Sequence, residues 1–97
     1  MMQIEYNGHK MKLFVSEYTV NNNLYVGLQD EEGGLWDLTV NIGNLDNKSE
    51  AYIDVNNFPD ATDIILQYKL GKVEPYIKQS GFCYYPLCIF DLEKIKS

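Results

Sequence analysis

The residues able to act as a nucleophile, a general base or a soft metal ligand are few. The chain has one histidine, His9, and two cysteines, Cys83 and Cys88. A catalytic Cys/His pair needs the imidazole hydrogen-bonded to a thiol, with a third group orienting it, and nothing in the sequence places His9 near either cysteine. A structural zinc site needs about four ligands in short paired spacings. We therefore expect no enzyme, no metal and no cofactor, with two free thiols that pack as small apolar groups.

Oxygen donors are denser around a predicted helix start, where a hard cation such as calcium is the alternative to consider. The donors are Asp54, Asn56, Asn57, Asp60 and Asp63. They do not fit a calcium loop, because Phe58 and Pro59 stand where a ligand and the obligatory glycine are required. We favour a helix cap with an acidic first turn. A metal-dependent enzyme, with a cleft and a bound ion near these residues, is a further alternative.

The largest chemical asymmetry of the chain is its charge between residues 30 and 63. Nine carboxylates and one lysine give this segment a formal charge of −8, whereas residues 1–29 sum to zero and residues 64–97 to +2. A solvated face that keeps the protein soluble is one interpretation, and a surface that binds a basic partner is the other. Asp60 and Asp63 already have a role at the helix start. The candidate partner-binding residues are therefore Asp30, Glu31, Glu32, Asp37, Asp46, Glu50 and Asp54.

Composition argues against several other classes of function. All eight cations are lysines and the net charge is −6, so the chain is a poor direct binder of DNA or RNA, which favour the arginine guanidinium. No stretch approaches the ~18 apolar residues of a membrane span. The N-terminus MMQIEYNGHK has neither the basic nor the apolar region of a signal peptide, and we expect a cytosolic protein. The length fits a single domain over residues 1–97 with one core.

Alternation of apolar and polar residues predicts strands through the first half of the chain. Residues 2–6 and 11–15 alternate on either side of Asn7-Gly8, a dipeptide that accepts the positive φ angles of a type I′ hairpin turn. A third run covers residues 24–28. A fourth, at 36–42, puts Trp36 on one face and Asp37 on the other. Together these runs predict an antiparallel meander with an N-terminal hairpin.

One helix is predicted, over about residues 58–70, after a short strand at 51–55. Asn56 or Asn57 can cap its start and Gly71 can end it. Its apolar residues lie on one face, so it must pack against a sheet. Glycine and proline within residues 71–81 predict a connection. The final run, 82–92, is apolar on both faces around Pro86 and predicts a central or closing strand with a bend or bulge. The predicted fold class is α+β: an antiparallel β-sheet of about six strands packed by one α-helix.

Four stretches of the chain are distinctive. They are Thr39-Val-Asn-Ile42, Ala51-Tyr-Ile-Asp-Val-Asn-Asn57 followed by Pro59, Leu70-Gly71, and Ser80-Gly-Phe-Cys-Tyr-Tyr-Pro-Leu-Cys-Ile-Phe-Asp-Leu92. Over about residues 24–95 the chain resembles the small bacterial and phage proteins grouped as domain of unknown function 4313. The resemblance implies a protein of a phage or conjugative element, and it supplies no activity. The signature residues Asp54, Asn56, Asn57, Gly81, Tyr85, Pro86 and Asp91 have roles available as caps, turns and core.

Small acidic proteins of such elements include inhibitors of host defence, of the anti-CRISPR and antirestriction types. We therefore hypothesise a non-enzymatic inhibitor of a nucleic-acid-handling defence effector, such as a Cas9-like nuclease, in the cytosol of the bacterial host. Its acids would mimic DNA and occupy a cationic groove. The alternative is an accessory protein of conjugation or element maintenance that binds another protein through exposed tyrosines. The sequence leaves monomer and dimer open.

Overall fold

The strands of the chain pair into two antiparallel sheets rather than one. The computed structural model describes residues 2–96. Among these residues, the first sheet has the order β1 (Gln3–Tyr6), β2 (His9–Glu17), β3 (Leu24–Gln29), β4 (Leu35–Asp37). The second has the order β5 (Thr39–Val40), β6 (Glu50–Ile53), β8 (Cys83–Phe90), β7 (Gly71–Ser80). Strands make up 48% of the structure and helices 13%, so the predicted α+β class with a single six-stranded sheet and one helix is wrong and the fold is mostly β.

The first sheet is a meander of strands that are adjacent in sequence. Its N-terminal hairpin turns at Asn7 (φ 50°) and Gly8 (φ 79°), between Tyr6 and its register partner His9. Positive φ at both turn residues is what a type I′ turn requires, and Asn-Gly supplies it at little steric cost. The loop at 30–34 then joins β3 to β4.

The chain passes from the first sheet to the second at Leu38, in the middle of the run predicted as one strand. The Leu38 N–H donates to the Val26 carbonyl of β3 (3.0 Å), and the Leu38 carbonyl accepts from the Asp54 N–H that follows β6 (2.9 Å). Thr39 supports the crossing, because its Oγ1 accepts from the Val26 N–H (3.2 Å). Side-chain alternation does not reveal this change of sheet, since both strands keep a period of two.

The helix begins later than predicted. It is α1 (Ala61–Gln67), with Asp60 rather than Asn56 or Asn57 at the N-cap position and no side-chain cap. The preceding residues form their own turn, in which the Phe58 N–H donates to the Asp54 carbonyl (2.8 Å). The amides predicted to cap a helix are therefore outside it, and the helical length falls to seven residues.

The end of α1 is made by Lys69 rather than by Gly71. Lys69 is left-handed (φ 53°), and the Leu70 N–H donates back to the Ile65 carbonyl (2.9 Å), as in a Schellman motif. Gly71 instead opens β7. A second short helix, α2 (Leu92–Lys96), follows β8 where the sequence predicted none. Neither of these two helices of residues 2–96 is long and apolar enough to cross a membrane.

The segment expected to be a connection, residues 71–81, forms the edge strand β7 over most of its length. Pro75 lies in the irregularity between Val73 and Ile77 where the register with β8 shifts. An edge strand tolerates proline at a bulge, because the missing N–H would face away from the ladder. β8 is an interior strand between β6 and β7, and its pairing with β6 stops at Leu87, beside Pro86.

One main core joins both sheets and α1. From the first sheet it includes Ile4, Met11, Leu13, Leu24, Val26 and Leu28. From the second sheet and the helices it includes Ala51, Ile53, Cys88, Phe90, Ala61, Ile64, Ile65 and Ile95. A smaller cluster of Tyr52, Tyr85 and Leu87 packs on the other face of β6 and β8. The second sheet thus has buried apolar side chains on both faces.

Candidate functional site

The seven acids predicted to bind a partner lie in separate parts of the fold. Asp30, Glu31 and Glu32 are in the loop after β3, and Asp37 and Asp54 flank the crossing at Leu38. Asp46 follows Leu45, whose N–H donates to the Asn23 side chain just before β3 (3.1 Å). Because β3 has six residues at ~3.3 Å each, about 20 Å separates the acids at 30–32 from the Asp46 loop. Glu50 is half-buried at the start of β6.

Asp30 shapes its own loop. Its Oδ1 accepts from the N–H groups of Gly34 (2.8 Å) and Glu32 (3.0 Å). These backbone donors, Gly34 foremost, lower the pKa of the Asp30 carboxyl below its ordinary value. The exposed carboxylates of the loop are then Glu31 and Glu32, which we call the loop acids.

Lysines from the first hairpin lie beside the loop. Lys10 and Lys12 line a shallow cavity of about 470 Å³ together with Asp30 and Glu31. An adjoining cavity of about 350 Å³, the loop pocket, is lined by His9, Lys10, Met11, Asp30, Glu31, Glu32 and Trp36. The negative potential of the loop is therefore reduced on the side of β2 and is greatest away from it.

Aromatic rings from distant parts of the chain meet next to β4. Trp36 keeps 45% of its surface exposed, yet its ring contacts Tyr6 (centroids 6.3 Å apart, 70° between planes) and Phe58 (6.1 Å, 53°). Tyr6 and Phe58 pack edge to face at 5.3 Å. A cavity of about 380 Å³, which we call the aromatic pocket, opens beside them. It is lined by Tyr6, Leu35, Trp36, Asp37, Asp54, Asn57, Phe58 and Pro59.

Asp37 borders the aromatic pocket and is held by a neutral donor. Its Oδ1 accepts from the Tyr25 hydroxyl, and burial together with this carboxylate raises the pKa of Tyr25 well above its usual range. The phenol lies across Gly27, where any side chain would collide with the phenol oxygen. Because the donor carries no charge, the Asp37 carboxylate is oriented without being neutralised by an ion pair.

Asp54 has a structural role in the wall of the same pocket. It is only 5% exposed, and its two oxygens accept from the backbone N–H of Asn57 (3.4 Å) and from the Asn57 Nδ2 (3.2 Å). A carboxylate bonded in this way fixes the turn before α1 and presents little surface to a partner.

Asp60, which the sequence assigned only to the helix start, has a partner 54 positions away. Its Oδ2 accepts from the Tyr6 hydroxyl (2.8 Å), and this hydrogen bond raises the pKa of Tyr6. The bond connects β1 to the start of α1 beside the aromatic pocket. Asp63 stays exposed in the first turn of α1.

The residues weighed for catalysis and metal binding do not assemble. His9 begins β2, while both cysteines are in β8 as free thiols. Burial raises the pKa of the Cys88 thiol to about 12, which disfavours the thiolate. Within residues 2–96, no three His, Cys, Asp or Glu side chains are grouped so as to hold a metal ion.

A second exposed surface lies at the far end of the β7–β8 hairpin, which turns at Gly81 (φ 62°). Phe82 is fully exposed there. Other large apolar side chains of the two strands are more than half exposed. Tyr76, Ile77, Phe82 and Tyr84 make up this hairpin tip. Ile77 and Tyr84 lie on one face of the hairpin, whereas the Tyr76 ring packs on Tyr52 (centroids 6.3 Å apart) on the other.

Sequence reasoning missed the aromatic pocket itself. Trp36 was assigned to one face of a regular strand, and the alternation of β4 does not reveal that this strand is short and lies at a sheet edge. Tyr6 and Phe58 gave no local signal, because they reach Trp36 only through the tertiary fold. The adjacent Trp36 and Asp37, an aromatic beside an acid at a strand end, are the one local pattern that could have indicated a binding surface.

Comparison with known proteins identifies a family. The family model described as Domain of unknown function (DUF4313) matches residues 12–97. No curated protein and no solved structure matches the chain. The matched range contains every residue lining the aromatic pocket except Tyr6.

Proposed function

Since the chain belongs to the DUF4313 family, whose description assigns no activity, we propose a function from its surface chemistry. It is a non-enzymatic protein that binds a basic surface of a partner protein with the acids around Trp36. The observation that carries this proposal is the position of Trp36, which lines both the loop pocket and the aromatic pocket. An exposed aromatic side chain within a charged rim is the usual composition of an interface hot spot.

Charge favours a basic partner over an acidic one. The residues lining these two pockets include five carboxylates and a single lysine, Lys10. Glu31, Glu32 and Asp37 are exposed, and the whole chain carries a net charge of −6. Such a distribution attracts a cationic surface at long range and repels nucleic acid, with a strong dependence on salt.

The finer form of the proposal is an inhibitor made by a phage or mobile element, of the anti-CRISPR or antirestriction type. Its target is a nucleic-acid-handling defence effector such as a Cas9-like nuclease. Effectors of this class hold nucleic acid in positively charged channels, and an acidic protein of this size can occupy such a channel. The exposed loop acids and Asp37 support this proposal. Asp54 is buried and does not contribute contact surface.

The test is DNA cleavage by a purified Cas9-like nuclease in the presence of the protein. We expect wild type to inhibit cleavage and the variant Glu31→Lys/Glu32→Lys to lose inhibition. The control is Glu17→Lys/Glu93→Lys, which makes the same change of net charge at two exposed positions outside both pockets. Loss of inhibition in both variants would mean that only net charge matters, and retained inhibition in the first would refute binding through the loop acids.

A second candidate function follows from the hairpin tip. Tyr76 and Tyr84 are more than half exposed, and Phe82 is fully exposed, so an accessory protein of conjugation or element maintenance could bind a partner there. Apolar contact is little affected by salt, and such binding should persist at about 0.5 M salt, where the Debye length is roughly 4–5 Å. Phe82→Ser should abolish it, while Glu31→Lys/Glu32→Lys should not.

A further inference from the structure

The aromatic pocket has the shape and charge for one side chain of a partner. The indole of Trp36 is fixed by Tyr6 and Phe58 on the protein side and is 45% exposed on the other. A ring that is held by its neighbours while part of its surface remains open can stack with a ligand without first being ordered.

The polar groups of the pocket favour a cation. Asp37 and Asp54 are the only charged side chains among the residues that line it, and none of its lining residues is a lysine. Asp37 is bonded to the Tyr25 hydroxyl on the face of β4 opposite to Trp36, so it contributes its charge to the pocket rather than a contact with the indole face. Asp60, bonded to the Tyr6 hydroxyl, adds a third carboxylate nearby.

We propose that the aromatic pocket binds one arginine side chain of the basic partner, with the guanidinium stacked on the exposed part of Trp36 and attracted by the negative charge of the surrounding carboxylates. The planar guanidinium suits this pocket better than an ammonium group, because it can stack flat on an indole while keeping its positive charge near carboxylates. The proposal rests on the proposed function, since it takes the partner surface to be basic, and it names the group that anchors that surface.

The chain offers a direct reporter, because Trp36 is its one tryptophan and gives a single indole N–H resonance. The probes are a glycine- and serine-spaced peptide containing four arginines, and the same peptide with citrulline, which keeps the shape without the charge. We expect the arginine peptide to shift the Trp36 indole resonance and the citrulline peptide not to shift it. An equal shift with both peptides, or none with either, overturns the proposal.

Variants separate stacking from charge. Trp36→Leu should weaken binding of the arginine peptide by about tenfold, and Trp36→Phe by less, since a cation interacts most strongly with indole. Asp37→Asn should also weaken it, whereas Glu93→Gln, the same charge change on α2, should not. A circular dichroism spectrum checks that each variant is folded. Binding that survives Trp36→Leu in a folded protein overturns the pocket assignment.

The two proposals fail in different ways. Suppose that Glu31→Lys/Glu32→Lys abolishes nuclease inhibition while the arginine peptide does not shift the Trp36 indole resonance. The pocket assignment is then wrong and the proposed function stands. If the indole responds to arginine but not to citrulline while the charge-reversed protein still inhibits, the pocket assignment stands and binding through the loop acids is wrong.

Discussion

Two acidic regions of the same segment, the loop at 30–34 and the turn at 54–60, use their carboxylates differently. In the loop, one acid accepts backbone hydrogen bonds and the next two, Glu31 and Glu32, are exposed. In the turn, Asp54 is buried and bonded to Asn57, and Asp60 is bonded to Tyr6. A partner can therefore reach the loop acids at little cost, whereas recruiting the acids of the turn would require breaking native hydrogen bonds.

Asp37 lies between these two regions and combines their properties. It is exposed, as the loop acids are, and it is oriented by the Tyr25 hydroxyl, as the acids of the turn are oriented by their donors. A carboxylate carries the same formal charge in the loop, in the turn and at Asp37. Hydrogen bonding and burial decide whether a carboxylate stabilises the fold, binds a partner or does both.

The largest loss of stability should come from the turn. Asp54→Ala removes a buried carboxylate and leaves the Asn57 donors without their acceptors, so we expect the free energy of unfolding to fall by about 2 kcal/mol. Urea denaturation measures it. Asp54→Asn keeps one acceptor oxygen and should lose less stability. Equal losses in the two variants would show that the retained oxygen does not stabilise the turn.

The bond between Tyr25 and Asp37 should contribute less. Tyr25→Phe removes one hydroxyl and should cost about 1 kcal/mol in urea denaturation at neutral pH. The pKa of Tyr25 is raised above its ordinary value of 10.0, so the folded state keeps this proton when the unfolded chain loses it. Stability from this group is complete below pH 10 and declines above it. The decrease in the free energy of unfolding above pH 10 should be smaller in Tyr25→Phe than in wild type. An identical decrease in the two proteins would exclude Tyr25 as its source.

Asp30→Asn should have a smaller and pH-dependent effect. Because the folded pKa of Asp30 is lowered from 3.8, its stabilising contribution is present above that value and is lost as the pH falls below it. Wild type should thus be the more stable protein at pH 7, and the difference should shrink towards pH 2 in thermal denaturation. A difference that is constant with pH would show that the charge of Asp30 is not what stabilises the loop.

The loop acids should have the smallest effect on stability. Glu31→Lys/Glu32→Lys changes two exposed side chains that accept no hydrogen bond from the described residues. The free energy of unfolding should therefore stay within about 0.5 kcal/mol of the wild-type value. Urea denaturation beside the matched variant Glu17→Lys/Glu93→Lys gives the comparison. A loss well beyond that range would place Glu31 or Glu32 among the residues that build the loop.

Parts of the fold follow from local rules. Asn7-Gly8 predicts a turn because few other dipeptides accept two positive φ angles, and the apolar run around Pro86 indicates an interior strand because both of its faces are covered. The position of an amphipathic helix near Ile64 and Ile65 follows from their spacing. Its start does not, because Asp54 and Asn57 bond to each other before the helix begins.

Other features depend on contacts that no local pattern encodes. The change of sheet at Leu38 preserves strand periodicity, so alternation alone predicts one strand. Pro75 suggested a connection, and it became part of β7 because that strand lies at an edge with a bulge. The site was predicted as a set of charges. The sequence could not indicate that Trp36 would meet Tyr6 and Phe58, or that Asp54 would be buried.

The most direct test of the account is the salt dependence of binding to the proposed target, a Cas9-like nuclease. Affinities of wild type, Glu31→Lys/Glu32→Lys and Glu17→Lys/Glu93→Lys are measured from about 0.1 to 0.5 M salt. We predict that the loop variant binds much more weakly and depends less steeply on salt, while the control keeps most of the affinity and slope of wild type. Equal affinities and slopes for wild type and the loop variant would contradict the claim that the exposed acids near Trp36 bind a basic partner.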